Sequence, residues 1–79
     1  MDIEKISLIA QAISFEFEDT FHIKKKKDLF IIIFNKYLNT VDPGVTTDPY
    51  DAIIALGKTD PAGFDNMLKE LKEKDLVSL

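Results

Sequence analysis

The chain has 79 residues and a net charge of −4; it contains no cysteine, and all ten of its basic residues are lysines. This length indicates one domain, residues 1–79, and the lack of cysteine excludes disulfides and thiolate metal sites and favours a cytoplasmic location. The acidic balance without arginine argues against nucleic-acid binding, and the longest apolar run, Leu29 to Phe34, is too short to span a membrane.

Residues 2–21 carry apolar side chains at the spacing of a helix, and Asp2 is the expected N-cap. A second apolar group, Leu8, Ala12 and Phe15, lies on a different face of this predicted helix. Either a second helix or a partner protein covers that group. The stripe that we expect to face the core consists of Ile3, Ile6, Ile9, Ala10, Ile13, Phe17 and Phe21.

The same segment also contains a competing pattern. Ile13, Phe15, Phe17, Phe21 and Ile23 alternate with polar residues, which is the spacing of a strand. A hairpin over residues 13–27, giving an α+β fold, is therefore the alternative. We favour the helix because its stripe is longer and because no glycine or proline is present to make a turn.

The four-lysine run from Lys24 to Lys27 predicts either a solvated junction or a first helical turn whose lysine stems lie along apolar surface. A nucleic-acid or membrane patch is the alternative, but the run is short, isolated and free of arginine. Asp28 is expected to cap an apolar helix ending at Leu38, the innermost helix of the fold. Its β-branched residues leave a central strand as an alternative. The core-facing side chains are Leu29, Phe30, Ile33, Phe34, Tyr37 and Leu38, with Ile31 and Ile32 outside that arc.

Thr-Asp-Pro occurs twice, at residues 47–49 and 59–61, and each copy predicts the start of a helix. The first follows a loop with the turn sequence Asp42-Pro43-Gly44. It opens a helix from Pro49 to Leu56, with Asp48 as N-cap and Gly57 as a left-handed stop.

The second copy opens a final helix at Pro61, with Asp60 before it. We expect Glu70 and Lys74 to pair along its exposed face. The tail either frays or docks. Its apolar residues are Leu76, Val77 and Leu79, and the buried stripe of the helix is Phe64, Met67, Leu68 and Leu71. Together the elements predict an all-α fold, a small four-helix bundle.

No catalytic or metal-binding pattern is recognisable. His22 is the only imidazole, and without cysteine it cannot make an ordinary structural zinc site. A calcium loop counted from Asp42 would have Thr47 where an EF-hand requires glycine. No serine lies in a glycine-flanked elbow, and the three glycines are too dispersed to bind phosphate. We therefore expect no catalytic, cofactor-binding or metal-binding residues, no cofactor and no enzymatic activity.

One segment resembles a known signature. Residues 38–45, Leu-Asn-Thr-Val-Asp-Pro-Gly-Val, are followed by Tyr-Asp-Ala-Ile-Ile at residues 50–54. This is similar to small, little-characterised bacterial helical proteins that carry Leu-Asn-x-Trp-Asp-Pro, a short loop and then Tyr-Asp. Val41 stands at the family's tryptophan, and the match covers about a fifth of the chain. Some of those proteins are described as immunity proteins against growth-inhibiting toxins, so the resemblance implies a role in binding another protein.

A small acidic bundle without a catalytic constellation fits a protein that binds a basic partner protein, as immunity proteins, antitoxins and phage-encoded inhibitors do. The alternative is a homodimer, a structural subunit of a larger assembly, because Leu8, Phe15, Ile31 and Ile32 give more apolar surface than a monomer needs. Neither nucleic acid nor a membrane is an expected partner. The residues that we expect to contact the partner are Glu16, Glu18, Asp19, Asp42, Asp48 and Asp51.

Overall fold

Four α-helices make up the regular structure of residues 2–41 and 48–79, which are the residues that the computed structural model describes. These residues contain no strand, so the predicted all-α fold is confirmed. The two alternative predictions, a hairpin over residues 13–27 and a central strand in place of the second helix, are therefore wrong. The predicted turn at residues 42–44 lies outside the described residues. The helices are α1 (Ile3–Asp19), α2 (Lys24–Leu38), α3 (Tyr50–Thr59) and α4 (Pro61–Glu73).

Helix α1 begins as its sequence predicts. The Oδ1 atom of Asp2 accepts a hydrogen bond from the backbone N–H of Lys5 at 2.9 Å, which satisfies one of the free donors at the start of the helix. Phe15 and Phe17 are two residues apart, about 200° around a helix, so one faces out when the other faces in. Phe17 is fully buried and Phe15 is exposed. The alternation from Ile13 to Phe17 is thus two opposite faces of one helix, while Phe21 and Ile23 lie in the connection between α1 and α2.

Helix α2 begins five residues earlier than predicted, at Lys24, and Asp28 is not its cap. The Asp28 carboxylate instead accepts a hydrogen bond from Lys24 Nζ at 2.9 Å, one turn back. Lysine is a good helix former, and the lysine run provides the first turn. Lys27 Nζ lies 4.6 Å from the centre of the Phe21 ring, so its stem covers apolar surface as expected.

Helix α3, and not α2, is the central helix, because its backbone lies close to those of the other three, whereas α2 meets α1 mainly through the rings of Phe30 and Phe34 against Phe17. Four of its ten residues are buried: Ala52, Ile53, Leu56 and Gly57. Gly57 does not end the helix, which continues to Thr59. A Cβ atom on Gly57 would lie only 2.9 Å from Cγ2 of Ile6, so the missing side chain allows α1 and α3 to approach closely.

The predicted start of α4 is confirmed. Asp60 Oδ1 accepts from the N–H of Gly63 at 3.0 Å, and Pro61 is the first helical residue. Shortly after the end of the helix, Asp75 adopts the left-handed conformation at φ 59°. The N–H of Leu76 then donates a hydrogen bond to the Leu71 carbonyl at 2.9 Å, which closes the last turn. This turn docks the tail, since Leu76 and Val77 are buried and Leu79 is the one apolar residue of the tail that is exposed.

All four helices contribute to one apolar core. At its α1–α2 side the rings of Phe17, Phe30 and Phe34 pack with centroids 5.1–5.5 Å apart. The Lys36 ammonium of α2 bonds the Glu70 carboxylate of α4 at 2.7 Å, so Glu70 pairs across helices and not with Lys74. The buried apolar residues are Ile6, Ala10, Ile13, Phe17, Phe30, Ile33, Phe34, Leu38, Ala52, Ile53, Leu56, Phe64, Met67, Leu71, Leu76 and Val77.

Candidate protein-binding groove

A groove of about 620 Å³ runs along the outer face of α1. It is lined over the length of the helix, from Ile3 to Glu18, and also by Asp48 and Tyr50 at the start of α3. The Asp48 carboxylate accepts a hydrogen bond from the Tyr50 N–H at 3.3 Å, which fixes the backbone at this edge. Helix α3 starts one residue later than predicted, with Pro49 in the N-cap position.

The groove exposes large apolar side chains. Leu8 is 67% exposed, Phe15 is 57% exposed and Ile3 is 47% exposed. A second helix was one expectation for the face with Leu8, Ala12 and Phe15. That expectation is wrong for Leu8 and Phe15, because no described residue covers them, and Ala12 is half-buried. Exposed apolar side chains that are grouped in a concave surface are typical of an interaction site.

Helix α1 carries two stripes at the same spacing. We call Ile6, Ala10, Ile13 and Phe17 the inner stripe, and all four residues are buried. We call Glu4, Leu8, Gln11, Phe15 and Glu18 the outer stripe, and all five line the groove. Both stripes step by alternating intervals of four and three residues, which is the spacing of a helix–helix seam. The two are offset by two residues, about 200° around the helix, so they lie on opposite faces.

Every formal charge that lines the groove is negative. Glu4 and Glu18 lie at the two ends of the outer stripe, and Asp48 adds a third carboxylate. Among the described residues, the ion pairs are Lys24–Asp28 and Lys36–Glu70, and neither includes a groove carboxylate. These three acids are therefore open to pairing with a basic partner.

The groove brings together two of the six acids that the sequence suggested for partner binding, Glu18 and Asp48. Glu16 is half-buried, while Asp19 and Asp51 are exposed, but none of these three lines the groove. Asp42 lies outside the described residues. Glu4 lines the groove and was missed. Its spacing from Leu8 and Glu18, which places all three on one face of the helix, is the sequence feature that indicates it.

Ser7 and Ser14, which are seven residues apart, lie beside the outer stripe, and both line the groove. The Oγ atom of Ser14 is shielded from solvent and has no hydrogen-bond partner among the described residues. Small side chains at this spacing leave room for the side chains of an approaching helix. The Ser14 hydroxyl can also donate or accept a hydrogen bond at the floor of the groove.

Perturbed ionisable groups lie outside the groove. The hydrogen bond from Lys36 lowers the pKa of Glu70 and raises the pKa of Lys36 itself, and burial raises the pKa of Tyr37. This cluster joins α2 to α4 and has the character of a structural ion pair. His22 is exposed in the turn between α1 and α2. Among residues 2–41 and 48–79, no group of three histidine, cysteine or acidic side chains could hold a metal ion.

No helix in the described part of the chain has both the length and the apolar content needed to cross a membrane. Comparisons with protein-family models, with curated proteins and with solved structures found no match to this chain. The resemblance of residues 38–54 to immunity-like bacterial proteins therefore stays a prediction.

Proposed function

We propose that this protein acts without catalysis by binding another protein through the groove on α1. The observation that supports this is the outer stripe, where Leu8 and Phe15 remain exposed between acidic ends. Apolar anchors at the centre of a patch with charged groups at its rim are typical of protein–protein interfaces. We assign the protein to the functional type of immunity proteins, antitoxins and phage-encoded inhibitors, in a bacterium or phage.

The charge of the groove favours a basic protein over other macromolecules. Glu4, Glu18 and Asp48 repel the phosphates of nucleic acids and of anionic lipids, and they attract lysine and arginine. Charge complementarity of this kind accelerates association and excludes wrong partners. A cytoplasmic location belongs to the same proposal and rests on the cysteine-free composition.

Site-specific photo-crosslinking in cells of the source organism tests this proposal. A photoreactive amino acid replaces Leu8, and in a matched control it replaces Lys69, which is exposed on α4. We expect a protein adduct at Leu8 that is absent at Lys69 and is lost when Phe15→Ser is added. Adducts that form equally at both positions, or no protein adduct at Leu8, would contradict the proposal.

A second candidate function is a homo-oligomeric structural subunit. It is supported by Ile32, which is 61% exposed on α2, and by its half-buried neighbour Ile31. In that case a second copy covers α2 as well as the outer face of α1. Sedimentation velocity at micromolar concentration decides the matter, because a monomer leaves this candidate without support.

A further inference from the structure

We infer that the occupant of the groove is one basic amphipathic α-helix of the partner protein, lying along α1. This inference rests on the proposed function and names the structural class of the partner. It follows from three properties of the groove, which are the spacing of the outer stripe, the size of the side chains beside it and the order of charged and apolar groups along it.

The spacing sets the shape and length of the occupant. Intervals of four, three, four and three residues keep the outer stripe on one line along the helix, which is the surface that a second helix packs against. From Glu4 to Glu18 the stripe rises about 21 Å at 1.5 Å per residue. A partner helix of about four turns covers this length, with its apolar side chains against the central two turns between Leu8 and Phe15.

The side chains beside the stripe allow close helix packing. Ser7 and Ser14 are small and lie next to Leu8 and Phe15, so they form the hollows into which apolar side chains of a nearly parallel or antiparallel helix insert. Gln11, at the middle of the stripe, is polar and requires a hydrogen-bonding group opposite it. We therefore expect a glutamine, asparagine or serine at the middle of the partner's apolar face.

The charges select a basic helix and disfavour a second copy of this chain. Glu4 and Glu18 mark the two ends of the stripe, so the partner helix carries lysine or arginine at both ends of its apolar face. If two copies of α1 paired in antiparallel fashion, Glu4 of each would face Glu18 of the other. In the parallel arrangement each glutamate would face its own counterpart. Both arrangements oppose like charges at each end of the seam.

Binding of designed peptides tests the inference. One labelled helical peptide carries apolar residues at alternating four- and three-residue intervals, a central glutamine and lysines at both ends, and its control replaces the lysines with glutamates. Fluorescence anisotropy with the full chain should show at least about tenfold tighter binding of the lysine peptide, weakening as salt rises. Equal binding of the two peptides, or binding of neither, would overturn the inference.

Variants of the protein test whether the peptide binds in the groove. Leu8→Ser and Phe15→Ser are each expected to weaken binding of the lysine peptide by about tenfold or more. Ile32→Ser, a matched change at an exposed apolar residue of α2, should leave binding unchanged, and circular dichroism checks that all three variants are folded. An equal loss in Ile32→Ser, or no loss in the α1 variants, would show that the peptide does not bind in the groove.

The two proposals fail in different ways. A protein adduct at Leu8 in cells together with no peptide binding would keep the proposed function and reject the basic helix. Peptide binding in the groove without any cellular adduct would support the groove's preference for a basic helix and reject the proposed function.

Discussion

Replacing Gly57 with alanine tests the closest approach between α1 and α3. The new Cβ would stand 2.9 Å from Ile6 Cγ2, 3.1 Å from Cδ1 and 3.2 Å from Cγ1. The Cγ2 atom is on the β-carbon of a branched residue, whose χ1 has essentially one favoured rotamer in a helix. Ile6 cannot turn this methyl group away cheaply, and both residues are buried, so the helices themselves have to move apart.

Two opposing effects decide the sign of Gly57→Ala. Alanine in a helix interior is more stable than glycine by about 1 kcal/mol. Overpacking a well-packed core costs about 1–3 kcal/mol. Because all three Ile6 contacts are tighter than ordinary van der Waals contact, we expect the second effect to dominate, with a net loss of about 1 kcal/mol in the free energy of unfolding. In a chain of this size that lowers Tm by about 4–8 °C.

Urea unfolding followed by circular dichroism measures the change, and a double-mutant cycle with Ile6→Ala isolates its cause. In the Ile6→Ala background the clashing atoms are gone, so Gly57→Ala should be neutral or stabilising, with a coupling energy of about 1 kcal/mol or more. Additive effects of the two changes, or a more stable single Gly57→Ala variant, would refute the close-approach explanation.

Four further predictions follow from other parts of the structure. Phe17→Ala should lower the free energy of unfolding by about 3–5 kcal/mol because Phe17 is fully buried, whereas Phe15→Ala should change it by less than about 0.5 kcal/mol; urea unfolding compares this matched pair. Asp75→Gly should stabilise the protein by about 0.5–1 kcal/mol, measured the same way, because glycine adopts the left-handed conformation without a Cβ penalty; a loss of stability would contradict this. Glu18→Lys should increase self-association in sedimentation velocity, because in an antiparallel pair the new lysine would face Glu4 of the second copy; unchanged sedimentation would show that like charges are not what keeps two α1 faces apart. The pKa of Glu70 is lowered on folding, so its carboxylate stabilises the fold at neutral pH, and this contribution disappears as the pH falls below 4.5 and through the folded-state pKa. When unfolding is measured as a function of pH, the Glu70→Gln variant should therefore be less stable than wild type at neutral pH, and its stability should fall less as the pH is lowered. Parallel stability–pH curves for the two proteins would contradict the assignment.

Local sequence signals predicted the starts of α1 and α4, whereas at the first Thr-Asp-Pro the N-cap is Pro49 and not Asp48. The caps at Asp2 and Asp60 and the proline at the start of α4 were predicted because each depends only on residues within one turn. The four buried residues of the inner stripe of α1 were predicted because burial has the period of the helix. The same prediction was wrong for Ile3 and Phe21, which are exposed. These features fix the starts of α1 and α4 and the buried face of α1.

Signals with two meanings were misread. Glycine ends a helix when it takes a positive φ, but it also lies inside a helix where another backbone comes close, and Gly57 is the second case. Only the position of Ile6, fifty-one residues away in the chain, distinguishes the two. Asp28 was misread for a similar reason, because the same carboxylate that could cap one helix can pair with a lysine one turn earlier.

The candidate site needed the tertiary structure for a different reason. The sequence contains both stripes of α1, at identical intervals, and nothing local indicates which one the rest of the chain will cover. In the fold α3 packs closely against Ile6, at the start of the inner stripe, while Leu8 and Phe15 of the outer stripe stay exposed. The free chain therefore gains little stability from these two side chains, and their exposure makes the protein more prone to aggregate. Burying them under the proposed partner helix would remove that apolar surface from water at about 25 cal/mol per Å², so on this proposal they contribute to binding and not to folding.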